Sequence, residues 1–120
     1  MKITNLYKPS EDEEQAAVIE YCDLMRVPIV HIPNEGKRSA AYAAKMKRMG
    51  LRNGFPDLFV TEARGGFHGL FIELKAEGGR TSPDQKMWIA KLNSKGYLAR
   101  VCVGADAAIT EIQKYMEMRK

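Results

Sequence analysis

Two short runs of apolar, β-favouring residues, Leu58-Phe59-Val60-Thr61 and Gly69-Leu70-Phe71-Ile72, stand either side of a connection that contains Gly65-Gly66. Paired glycines suit a tight turn between strands, so the segment is expected to fold as a β-hairpin. That constrains its surroundings, because side chains along a strand alternate between faces. Pro56-Asp57 leads into the first run, and Glu73-Leu74-Lys75 continues the second. Glu73 and Lys75 then project to one face, while Leu74 points to the other and can enter a core. Two acids and a lysine on adjacent strands can hold a divalent metal and poise a water beside it, which points to phosphodiester hydrolysis.

Hairpin register decides whether this chemistry is geometrically open to the chain. A two-residue Gly65-Gly66 turn pairs Arg64 with Phe67 and, counted outward, Asp57 with Leu74, which is the wrong face. A three-residue loop, a bulge, or a bend at Pro56-Asp57 brings Asp57 level with Glu73. The metal-site reading requires one of these.

Helices are marked on both sides of the hairpin. Ser82-Pro83-Asp84-Gln85 supplies an N-cap, a proline at the first helical position and the glutamine of a capping box. The helix it opens carries Met87, Trp88 and Leu92 at near-helical spacing and ends at Gly96. Gln85, in its first turn, serves the cap and could also reach a phosphate, a water or Lys75. Ser10-Glu11-Asp12-Glu13 is a second capping box, opening a helix through Val18, Ile19, Cys22 and Met25 as far as Val27-Pro28. Glu11, Gln15, Val18 and Cys22 share one of its faces, with Glu14 on the flank. First-turn acids also complement the helix dipole, so spacing alone leaves the choice among Glu11, Asp12, Glu13 and Glu14 open.

With 120 residues, 45% of them hydrophobic, the chain fits one domain with an ordinary core. Residues 1–9 read as an N-terminal tail and residues 10–120 as the domain. The net charge of +4 and pI of about 9.1 are compatible with a polyanionic partner without proving one. The distribution says more. Lys37, Arg38, Lys45, Lys47, Arg48 and Arg52 cluster just before Asp57 with only Glu35 to offset them, and such a cluster can neutralise phosphates. Much of it falls on an expected helix over residues 39–49, where Ala40, Ala41, Ala43 and Ala44 accompany Tyr42, Met46 and Met49. That helix could pack on its own domain or on a second copy of the chain.

Other chemistry is poorly supported. Cys22 and Cys102 lack zinc-ligand spacing and read as core thiols of a reducing cytosol. His31 and His68 have no evident nucleophilic partner and read as structural or surface residues. Asn34-Glu35-Gly36 is a turn whose amide could contact a DNA backbone or support the site. A strand over residues 97–103 and an amphipathic helix over 106–118 complete an order of helix, strand, inserted helix, hairpin, helix, strand, helix. Lacking a signal peptide or an apolar membrane-length run, the protein is expected to be soluble, intracellular and cytoplasmic.

Taken together, Glu11-Asp12-Glu13-Glu14-Gln15, Ile32-Pro33-Asn34-Glu35-Gly36-Lys37-Arg38, Gly54-Phe55-Pro56-Asp57, Phe71-Ile72-Glu73-Leu74-Lys75 and Ser82-Pro83-Asp84-Gln85 resemble, in order, the motifs of the PD-(D/E)XK nuclease superfamily. The likeness is to its VRR-Nuc branch, in the stand-alone form common in phages and prophages, and it raises a phage-encoded origin in a bacterial host. Phe55 departs from the small or β-branched residue usual there, which should alter packing rather than chemistry. The resemblance implies a restriction-endonuclease-like α/β fold, a mixed sheet flanked by helices with the basic helix inserted before the catalytic hairpin. It implies Asp57 and Glu73 as ligands of Mg2+ or Mn2+, with the Leu74 carbonyl as a third. Lys75 would orient or help deprotonate the attacking water, and Gln85 would position that lysine. The family's spacing of first-helix acid to glutamine selects Glu11 with Gln15, Glu14 being held in reserve, and Glu11 would bind or orient a second ion or a water.

The function so implied is a structure-selective DNA endonuclease on branched DNA such as four-way (Holliday) junctions, acting as a homodimer, since two-strand incision needs two sites. A nicking endonuclease or exonuclease on simpler DNA would use the same site. A non-cleaving DNA-binding accessory protein is the alternative of another class, and intact Asp57, Glu73 and Lys75 argue against it.

Overall fold

The computed structural model of the chain describes residues 7–33 and 39–120. Its elements run α1 (Glu11–Leu24), β1 (Ile29–His31), α2 (Ala40–Arg48), β2 (Leu58–Val60), β3 (Leu70–Lys75), α3 (Pro83–Ser94), β4 (Leu98–Val103) and α4 (Ala105–Met116), the order expected from sequence. The strands form one mixed sheet in the order β1-β2-β3-β4. The first two pairings are antiparallel, and β3 pairs with β4 in parallel through the α3 crossover.

β3 is buried along its whole length, and its alternation separates two apolar layers. Leu70, Ile72 and Leu74 join Leu58, Val60, Leu98 and Cys102 under α1 and α4, which contribute Val18, Cys22, Ala108, Ile112 and Tyr115. On the opposite face Phe71 and Ala99 pack with Leu92 of α3, flanked by Phe55, Phe59, Ile89 and Tyr97. This second layer is smaller. Where it ends, β3 presents Glu73 and Lys75.

The hairpin meets the register condition through a bulge, one of the expected routes. Gly65 and Gly66, with φ of +58° and +87°, do form the two-residue turn, and Arg64 and Phe67 exchange backbone hydrogen bonds of 3.2 and 2.8 Å across it. Yet β2 and β3 pair Leu58 with Ile72 and Val60 with Leu70. Between the two pairings Thr61, Glu62 and Ala63 stand opposite only His68 and Gly69, so one extra residue forms a bulge and shifts the register by one. The backbone groups left over find other partners. Thr61 N–H donates to the Pro28 carbonyl at 2.9 Å, His68 N–H to Gly96 at 2.9 Å, and the Tyr115 hydroxyl to the Glu62 carbonyl at 2.6 Å.

Two helical readings from sequence need correction or refinement. Met87 does not face inward; it is exposed, because the buried stripe of α3 runs through Gln85, Trp88, Ile89 and Leu92, three and four residues apart. The inserted helix α2 starts at Ala40 with Ser39 as its N-cap, has no buried residue, and leaves Tyr42 and Met49 exposed. In the tail, the Tyr7 hydroxyl donates to Glu13, tying that residue to α1. Asn34, Lys37 and Arg38 lie outside the described residues. No described helix is long and apolar enough to cross a membrane.

Candidate active site

The approach to Asp57 is fixed from three directions. Gly54, at φ +84°, lies against the first turn of α3, where a Cβ would come within 2.6 Å of the Asp84 carbonyl carbon and 2.7 Å of Gln85 N. Phe55 packs edge-on against Phe71 and Trp88, with ring centroids 5.3 and 5.0 Å apart, and Pro56 is fully buried. The Asp57 carbonyl accepts the Ile32 N–H at 2.7 Å and the Nδ1–H of His31 at 3.1 Å. His31, expected from sequence to be a structural or surface residue, thus steadies the peptide of Asp57.

Continuing the bulged register by one residue sets Asp57 opposite Glu73. Asp57 Oδ2 accepts the Leu74 N–H at 2.9 Å. Glu73 Oε2 receives the Gln85 amide at 3.1 Å and the Lys75 ammonium at 3.3 Å, while Glu73 Oε1 is buried without a hydrogen-bond partner among the described residues. Asp57, Glu73 and Lys75 are all buried. Burial, and then the negative charge of Asp57, push the Glu73 carboxyl up to about 8 against the pull of Lys75. As two carboxylates, Asp57 and Glu73 cannot satisfy each other; one must take a proton, or a cation must come between them.

That unmatched oxygen tests the site for a divalent ion, and the donor set fits. The Lys75 carbonyl accepts the Gly104 N–H at 2.8 Å on the β4 side. Because successive peptides along a strand alternate direction, the Leu74 carbonyl turns the other way, toward Asp57. Two carboxylates and a carbonyl are hard oxygen donors, suited to magnesium or manganese with waters completing the shell. No group of three or more His, Cys, Asp or Glu side chains converges among the described residues.

The first-helix acids separate. Glu14 is half-buried, above Val18 and Cys22 on α1, and its Oε1 accepts the Ala105 N–H at 3.0 Å at the start of α4, next to the Gly104 that binds Lys75. Glu11 is exposed in the first turn, and Gln15 is half-buried. Gln85 reaches Glu73 rather than Lys75, and its Oε1 also closes the capping box on Ser82 N–H at 2.8 Å. Lys45, Lys47, Arg48 and Arg52 are exposed, and Arg52 donates to the Lys47 carbonyl at 2.9 Å, which ties it to the end of α2. Burial raises both Cys22 and Cys102 to about 11, as befits core thiols. His68 packs against Gly96 and Tyr97.

A family model for the VRR-NUC domain matches residues 9–106. The chain belongs to the VRR-NUC family. A solved structure of a VRR_NUC domain protein is similar over nearly the full length of both molecules, with 37% identity, 96% of this chain and 94% of that chain covered, and a TM-score of 0.83. Among curated proteins none matches. The mixed four-stranded sheet flanked by helices is therefore the VRR-NUC, nuclease-type α/β fold, and nucleases of this domain family generally use divalent metals. VRR-NUC membership also implies a DNA-binding domain.

Proposed function

We propose that this VRR-NUC chain is a metal-dependent, structure-selective DNA endonuclease that hydrolyses phosphodiester bonds in branched DNA such as four-way junctions. The observation that carries the reading is the buried Asp57, Glu73 and Lys75 group, with Glu73 Oε1 lacking a hydrogen-bond partner among the described residues beside a second carboxylate. Asp57, Glu73 and the Leu74 carbonyl would hold Mg2+ or Mn2+. Such an ion, when bound, supplies Lewis-acid stabilisation of phosphate charge and lowers the pKa of a water. Lys75 orients the attacking water and offsets charge building on the phosphate as the new P–O bond forms and the leaving oxygen departs. Gln85 holds one Glu73 oxygen and leaves the other for the ion. Glu11, paired with Gln15, or Glu14 is the first-helix acid that orients a second ion or a water, and Asn34 supports the site.

Lys37, Arg38, Lys45, Lys47, Arg48 and Arg52 contact DNA phosphates, so binding falls steeply with salt. Two-strand incision needs two sites, and a homodimer supplies them. The deciding experiment incubates the protein with labelled junction, flap, duplex and single-stranded DNA in magnesium, manganese or chelator. Symmetric metal-dependent nicks on junctions support the proposal, and Asp57→Asn and Glu73→Gln then abolish cleavage while DNA binding persists. Progressive shortening from ends would make it an exonuclease. Binding without cleavage in any metal would make it an accessory protein.

A further inference from the structure

β4 is the outer strand of the sheet beside the catalytic one. The parallel register sets Val101 next to Glu73 and Val103 next to Lys75, so the four side chains share one face. Their neighbours Arg100 and Cys102 turn to the other face, where Arg100 approaches Glu111 at 3.9 Å and Cys102 enters the core. α3 covers the site face at the level of Phe71 and Ala99. Beyond it the usual distribution is inverted. Glu73 and Lys75 are 2% and 8% exposed, whereas Val101 and Val103 are 38% and 52% exposed. An apolar strip that faces solvent one strand spacing, about 4.8 Å, from a buried phosphate-handling group is placed to meet what is covalently attached to that phosphate.

We propose that Val101 and Val103 form an apolar rest for the sugar adjoining the scissile phosphate and select deoxyribose over ribose. That the phosphate is a scissile one rests on the nuclease reading above; the sugar contact itself requires only a bound phosphate. The C2′ methylene of deoxyribose packs against the valine methyls without loss. A 2′-hydroxyl in the same place gives up its water partners and finds no polar side chain from β4, since Arg100 lies on the opposite face.

The test uses the full chain in magnesium with its cleaved DNA and with the same DNA carrying one ribonucleotide next to the cut phosphate. Wild type is expected to favour the all-DNA substrate by roughly tenfold, the scale of an unpaired hydroxyl. Val101→Thr and Val103→Thr keep strand propensity and size but offer a hydroxyl, so they shrink that ratio without lowering the melting temperature. Val30→Thr, the same change on an exposed valine at the far edge of the sheet, leaves it intact. The ratio is read a second time as equilibrium binding to the Asp57→Asn protein. Discrimination in binding without cleavage by wild type sinks the nuclease reading and keeps this one. Equal treatment of both substrates by wild type, or an unchanged ratio in both threonine variants, overturns the selection by Val101 and Val103.

Discussion

Gln85 donates its amide to Glu73 at 3.1 Å while its carbonyl oxygen accepts the Ser82 N–H at 2.8 Å. One side chain therefore completes the cap of α3 and holds a buried carboxylate, and two substitutions separate these jobs. Gln85→Glu keeps an acceptor for Ser82 but replaces the donor with an oxygen facing Glu73. Gln85→Ala removes both. Cleavage should fall in each by about tenfold or more, as for loss of a hydrogen bond to a charged group. Only the alanine variant should also lose about 1 kcal/mol of stability through the cap. Kinetics and thermal melts of the pair check this, and a Glu variant with wild-type turnover would mean that the contact with Glu73 is idle.

The Glu73 carboxyl makes stability depend on pH in a direction opposite to that of most acids. Its folded value of about 8 lies above the ordinary 4.5, so across that window the native state holds a proton that the unfolded chain has released. Stability in chelator should fall as pH rises from about 5 to about 8. Magnesium favours the ionised carboxyl and should flatten the decline, raising the melting temperature most at the alkaline end. Glu73→Gln should flatten it without metal. Melts at several pH values with chelator and with magnesium check the slope, and stability that rises with pH in chelator would contradict the paired-carboxylate geometry.

Gly54 is required by contact as well as by conformation. It has a positive φ, and a methyl there would meet the backbone of Asp84 and Gln85 at 2.6 and 2.7 Å. Gly66 has almost the same φ, +87°, with nothing within 4 Å. Gly66→Ala should therefore cost only conformational strain, about 1 kcal/mol or somewhat more. Gly54→Ala should cost more and also push the Asp57 loop off α3, lowering cleavage out of proportion to stability. Comparable melting temperatures and activities for the two variants would show that the close approach is unimportant.

Much of this was legible because local signals agreed with one another. Both capping boxes, the Gly65-Gly66 turn, the alternation of β3 and the Glu73-Leu74-Lys75 placement follow from spacing, and all are present. The bulge is one of several options that the spacing allows. Its cause is non-local: Tyr115, from the last helix, takes the Glu62 carbonyl, and Pro28 takes Thr61. His31 was likewise hidden, since nothing in a short apolar run announces that its ring will reach the Asp57 carbonyl. Met87 is exposed because a helix of this length admits several neighbouring stripes, and tertiary packing selects the one headed by Gln85.

The bulge also shows where the candidate site can be broken without touching an acid. Tyr115 is fully buried, and its hydroxyl donates to the Glu62 carbonyl at 2.6 Å and accepts the Arg64 N–H at 3.2 Å. Tyr115→Phe leaves that carbonyl unpaired at a cost of about 1–3 kcal/mol. It also removes what favours the extra residue over the simple ladder that the two-residue turn would otherwise propagate, in which Asp57 faces Leu74. The variant should lose stability, lose cleavage disproportionately, and lack the magnesium stabilisation expected of wild type. Ile112→Val, a loss of core volume on the same helix, should lower stability by about 1 kcal/mol and keep its magnesium response. Melts with and without metal on the two variants decide the matter. An unchanged magnesium shift in Tyr115→Phe would mean that the register holds without the hydroxyl.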